Sequence, residues 1–196
     1  NKTLPPGLEI KNLVDMTYYL NARLDMMLKN LLQGGFLVAL MLAVFLRLKL
    51  ALWVMMGLPV CFLGAVMLMP VVGVTINIVS LFAFIMVLGI VVDDAIVIGE
   101  SCYTEIEAKG GGVENIITGA KRVATPATFG VLTTIAVFAP FTLSSGPESA
   151  FFFGIASVVI LCLIFSLVES KLILPAHLAH SRFDAISEDS WRARFN

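Results

Sequence analysis

Five times in 196 residues the sequence runs apolar without relief, at about 30–46, 50–72, 78–101, 123–142 and 149–169. Each run is about 17–24 residues long, enough to cross a hydrocarbon core of about 30 Å at about 1.5 Å per residue. The runs are continuous rather than alternating, which favours helices over the strands of a barrel. This feature limits the chain more than any other. Its apolar residues are too many and too contiguous to be buried inside one small water-soluble domain. Composition agrees, with 59% hydrophobic and 14% charged residues against about 45–50% and about 25% in soluble domains. A soluble enzyme and a disordered chain are both excluded. The net charge of -1 gives no reason to expect nucleic acid as a partner.

The expected fold is an all-α membrane protein, a bundle of five transmembrane helices with a short N-terminal extended segment and the start of a cytoplasmic interfacial helix. Residues 1–16 are polar around Pro5-Pro6-Gly7, and Leu8, Ile10 and Leu13 suit a short strand. From Thr17 apolar residues recur at three- and four-residue steps (Tyr18, Leu20, Leu24, Leu28, Leu31). That spacing gives an amphipathic lead-in to the first span. The membrane domain is expected over 17–175. Between the third and fourth spans lies a polar connector, 102–122, with Gly110-Gly111-Gly112 in its middle. Its first part reads as a helical overhang ending at glycine and its second as a short helix. Residues 176–196 form a polar surface segment, in which Ser187 suits the N-cap of an interfacial helix beginning near Glu188. The chain starts without Met and stops as a polar segment begins, so it reads as part of a longer protein.

Basic residues set the orientation. Arg47 and Lys49, then Lys109, Lys121 and Arg122, then Lys171 and Arg182 fall on one side, whereas the loops 73–77 and 142–149 hold no Lys or Arg. The bias puts the connector and the C-terminus in the cytoplasm. Cys61, Cys102 and Cys162 show no paired spacing and read as small buried hydrophobes. His177 and His180, past Pro175, read as solvated or interfacial.

Chemistry concentrates at Asp93-Asp94. An Asp at mid-membrane costs about 2.5–3.5 kcal/mol, whereas each aliphatic residue contributes only about 0.3–0.6 kcal/mol towards insertion. The helix inserts only if these carboxyls face protein, water or a partner charge. Two neighbouring carboxyls in a poor solvent do not both ionise easily, since desolvation and mutual repulsion oppose the second charge. No Lys or Arg stands inside the spans, so the relieving cation is expected from chain outside this sequence. Carboxyls that load and release a proton beside a movable cation make a proton relay. Gly89, four residues before Asp93 and on the same face, leaves room for a helix or a file of water. Glu100 and Glu169 are expected near the cytoplasmic ends of their spans, within reach of water. Other readings are a structural helix contact, an aspartyl protease, a metal site and a stand-alone assembly module whose acids pair with another protein. The protease needs acids on two facing helices, whereas adjacent residues point about 100° apart. For a metal site, no His or Cys accompanies the pair.

The run LFAFIMVLGIVVDDAIVIGES (81–101) closely resembles the fourth transmembrane helix of resistance-nodulation-division (RND) efflux transporters of the AcrB/AcrD/AcrF type, with Gly89, Asp93 and Asp94 in its Gly-x-x-x-Asp-Asp core. GVTINIVSL (73–81), LPPGLEI with its lead-in, and ILPAHLAH (173–180) resemble flanking parts in the right order. The resemblance implies helices two to six of an N-terminal half, proton antiport with Asp93 and Asp94 as relay acids, and no cofactor beyond the proton gradient. It further implies a relay Lys on the C-terminal half, a homotrimer in the bacterial inner membrane, and a periplasmic adaptor and outer-membrane channel as partners. Protein-export and lipid-export relatives share the fold.

Overall fold

The computed structural model describes residues 16–45 and 48–180. It is helical throughout its regular elements: α1 (Met16–Phe45), α2 (Leu48–Leu68), α3 (Ile78–Lys109), α4 (Val113–Thr142), α5 (Ser149–Val168), a π-turn (Glu169–Ile173) and α6 (Leu174–His180). The N-terminal strand expected within 1–16 and the surface helix expected near Glu188 lie outside the described residues. Four helical stretches, Leu50–Leu68, Ile78–Lys109, Val113–Thr142 and Ser149–His180, are long and apolar enough to cross a membrane. Within α1 the stretch Leu32–Met41 is a shorter apolar helix. The lead-in is helical, and its exposed Lys29 and Asp25 pair at 3.3 Å one turn apart.

The core forms where α3 and α5 meet the other helices. Val54, Cys61 and Ala65 of α2, Val87, Val91 and Ile98 of α3, and Val158, Val159 and Cys162 of α5 are almost fully buried in it. The outer surface is as apolar as the core. Leu63, Met67, Phe129, Val137 and Leu172 are all well exposed. In water such a surface would drive aggregation, whereas in lipid it is ordinary solvated surface. Hydroxyls in the apolar part of α4 are satisfied at home: Thr133 and Thr134 donate to the carbonyls of Phe129 and Gly130. A bilayer demands this of a polar group that faces it. Helices α2 and α4 run unbroken through Pro59, Pro126 and Pro140.

Local signals fix the start and end of α3. Asn77 caps it, its side chain accepting from the Val79 and Ser80 amides at 2.8 and 3.0 Å. Ser80 Oγ accepts in return from the Asn77 amide at 2.8 Å, a reciprocal capping box. At the other end Gly110, at φ +89°, closes the helix. Only glycine adopts that backbone freely, and its amide donates to the Ile106 carbonyl at 2.9 Å. The second half of the connector differs from the expected separate helix. It is the first part of α4, continuous with the fourth span. At 32 residues, α3 is about 48 Å long, so both α3 and α4 overshoot the hydrocarbon and pair beyond it. A run of polar residues marks the membrane boundary, but nothing in VENIITGAKR breaks a helix.

The overhangs are held by contact and by charge. A Cβ on Gly119 would sit 2.6 Å from the Cys102 Cα and 2.7 Å from the Ser101 carbonyl oxygen. Ser101 Oγ donates to the Gly119 carbonyl at 2.8 Å. Beyond this crossing, Glu105 meets Lys109 at 2.7 Å and Arg122 at 3.2 Å. The hydrogen bond from Lys109, with both cations adding attraction, holds the Glu105 carboxyl below the usual carboxylate range. Gly119→Ala must push backbone apart, so it should lower the stability of the intact protein by about 1–3 kcal/mol, read as a drop in its thermal unfolding temperature. The Glu105 contribution is present at neutral pH. It should fade as pH falls below about 4.3, the ordinary Glu value, and towards the lowered folded value. Amide exchange around 105–122 should therefore accelerate in acid, and Glu105→Gln should make it fast at neutral pH as well.

Candidate functional site

Asp93 and Asp94 lie about 22 Å along α3 from Ile78, in the apolar middle of the bundle. Their one-residue offset turns them to different surroundings. Asp93 is exposed and Asp94 partly buried. Asp93 belongs to a stripe, Phe82, Met86, Gly89, Asp93, Val97 and Glu100, that is exposed along α3 with buried residues between its members. Nothing lies within 4 Å of a Cβ built on Gly89. The close approach expected at Gly89 is therefore not made by the described residues. The glycine opens onto the same free face as Asp93.

Asp94 turns inward. Its Oδ2 is buried and has no hydrogen-bond partner among the described residues. Two charges act on it, first that of the neighbouring Asp93 and, relieving it, that of Lys171, so one cation comes from within this sequence although all were expected from beyond it. Lys171 was placed after the last span, on the cytoplasmic side. Instead it lies within a helix that continues from Ser149 through the π-turn to His180. Lys171 Nζ donates to Thr128 Oγ1 of α4, and that hydroxyl donates to the Ala124 carbonyl. Lys171 is thus tied to α4 while its charge acts on α3.

The sequence reading stopped the last span at Glu169 and treated Pro175 as a break. Pro175 has no amide proton, and its ring crowds the carbonyl four residues back. The chain accommodates it by widening the preceding turn, with the Leu174 amide bonded to the Glu169 carbonyl, five residues back. The helix therefore continues, and Glu169 does not reach water as expected. It is 2% exposed, seated where α2 carries Gly57, because a Cβ there would overlap the Glu169 carboxyl. Sequence reasoning missed this acid. The available signal was LILPAHLA beyond it, apolar enough to continue a helix. His177 stacks on Trp53 of α2, ring centres 4.6 Å apart. The three cysteines are free and buried. Among the described residues, no group of His, Cys, Asp and Glu suits a metal. An apolar cleft of about 620 Å³ opens between α1, α2 and α3, lined by Leu32, Phe36, Met55, Pro59, Phe62 and Leu88. It contains none of the acids.

The model of the AcrB/AcrD/AcrF family matches residues 1–183. The chain belongs to the AcrB/AcrD/AcrF family. It is 30% identical over 181 residues to the swarming motility protein SwrC of Bacillus subtilis, covering 90% of this chain and 17% of that protein. To the cobalt-zinc-cadmium resistance protein CzcA of Cupriavidus metallidurans it is 28% identical over 190 residues, covering 91% and 18%. The crystal structure of a heavy metal efflux pump is similar at TM-score 0.72 and 28% identity, over 88% of this chain and 17% of that one. The chain thus spans less than a fifth of the length of these relatives. Among its described residues, this member of the family carries four helices long and apolar enough to cross a membrane.

Proposed function

We propose that this chain is the proton-translocating part of an RND pump, using the inward flow of protons to drive export, with Asp93 and Asp94 as the relay acids. The observation that carries the reading is the offset of the pair. One acid stands on an open stripe of α3 and the other is partly buried, with the charge of Lys171 acting on it. A carboxyl at mid-membrane cannot be left facing lipid at low cost. The stripe through Gly89, Asp93 and Glu100 therefore faces more protein, and the C-terminal half with its own Lys is the natural cover. In that assembly Asp93 exchanges its proton and changes its attraction for the facing cation. Asp94 stays under the influence of Lys171. A proton that binds one arrangement of the helices more tightly than another shifts the balance between them, and that shift is the means by which protons drive export. No cofactor is called for beyond the gradient.

The family setting supports a homotrimer in the bacterial inner membrane, working with a periplasmic adaptor and an outer-membrane channel. Its connector and C-terminus would face the cytoplasm. Substrate choice is not assigned to this segment, since the large periplasmic domains lie elsewhere in the relatives' architecture.

In the full-length transporter, Asp93→Asn and Asp94→Asn should each reduce export by at least about 100-fold, on the scale of losing a proton-transfer group, with insertion and expression unchanged. Export by both variants at the native rate would rule out the relay. Infrared difference spectra against pH should show a titrating carboxyl that one of the two variants lacks.

A further inference from the structure

The relay leaves one buried acid unused. Glu169 is as buried as the aliphatic core around it, and it begins the one π-turn among the described residues. Single π-turns in α-helices recur at functional sites. Its seat is built for it, since Gly57 of α2 alone leaves space for the carboxyl. Two further buried hydroxyls flank it in sequence, Ser166 and Ser170. Neither has a hydrogen-bond partner among the described residues. Native interiors rarely leave such groups without reason. The polar atoms of Glu169, Ser166 and Ser170 thus gather on one length of helix in an otherwise apolar interior.

The charges around this acid are few. From α2, the Cys61 thiol is near enough to feel the Glu169 charge, and Cys162 of α5 is in turn near Cys61. From α6, His177 is engaged with Trp53. From α3, Asp94 is acted on by Lys171, not by Glu169. Glu169 has no ion pair among the described residues, so its neutral and charged forms differ greatly in how well they suit the site. Lys171 stands two residues along the same π-turn, donates to Thr128 and lies near enough for its charge to act on Asp94. Whatever moves the turn at Glu169 also moves the cation that Asp94 faces.

We propose that Glu169 is a second proton-carrying group of the membrane domain, coupled to Asp94 through the π-turn that holds both Glu169 and Lys171. Uptake forms one O–H bond on the carboxyl and breaks one in a hydronium ion, leaving water, and release reverses this; each exchange takes place when the turn opens the buried carboxyl to water. The neutral acid settles against α2 at Gly57. The charged form draws the turn towards polar partners and carries Lys171 with it. The proposal rests on the reading of this chain as proton-driven, but its first readout does not require transport.

The test uses the full-length transporter in liposomes, native and as Glu169→Gln, Glu169→Asp, Asp93→Asn, Asp94→Asn and Gly57→Ala. In pH-difference infrared spectra, Glu169→Gln should lack a carboxyl band that both Asn variants keep, and Glu169→Asp should retain a shifted one. The pH optimum of export should move in Glu169→Gln by about one unit or more, and Glu169→Asp should recover part of the native profile. A full native set of carboxyl bands in Glu169→Gln overturns the proposal. So does a loss of export equal at every pH, which would mark a purely structural role. If Glu169→Gln does not insert, Gly57→Ala decides: a displaced carboxyl band supports the proposal and an unmoved one overturns it. Native export by both Asn variants would remove the relay reading, while the Glu169 band would still report on this site by itself.

Discussion

A carboxyl inside a bilayer must be given a neighbour, and most of this structure follows from supplying neighbours to three of them. The apolar helices need only a hydrocarbon solvent and backbone bonds of their own. Asp93, Asp94 and Glu169 need more. Asp94 turns inward to a lysine held by another helix. Glu169 fits against the backbone of α2 through a glycine. Asp93 faces outward on an open stripe, where the proposed assembly supplies further protein. Each placement costs stability that an aliphatic residue would not, which is why intramembrane acids are read as working parts.

The same economy of polar groups shapes the ends of the bundle. Outside the hydrocarbon, charges pair openly, as Glu105 does with Lys109 and Arg122. Close crossing of α3 and α4 at Gly119 brings those charges together. Inside the hydrocarbon, threonines return their hydroxyls to their own helix. Membership of the AcrB/AcrD/AcrF family gives this plan its context.

Much of the fold was legible in the sequence. Continuous apolar runs locate helices in a membrane because only their length and continuity matter. Gly110 marked the end of α3 because caps act within a few residues, and the structure adds the Asn77 cap where the loop 73–77 meets the third span. Asp93, Asp94 and Gly89 stood out because a charge or a gap is anomalous against an apolar background. Two readings went wrong for related reasons. The connector's second half was separated from α4, and the last span was ended at Glu169. In both places polarity was taken for the end of a helix, although helices end where backbone geometry changes. Pro175 misled most, because a π-turn absorbs a proline without ending the helix.

The sequence by itself determined the solvent, the helices and the identity of the anomalous acids, since each depends on local composition and on the fixed rise of a helix. Only tertiary structure decided which acid meets which neighbour. Lys171 and Asp94 are 77 residues apart in the chain, and Gly57 and Glu169 are 112 apart. Such pairings depend on how each helix is rotated in the bundle. A single widened turn changes that rotation for every residue after it, and no local pattern records the result.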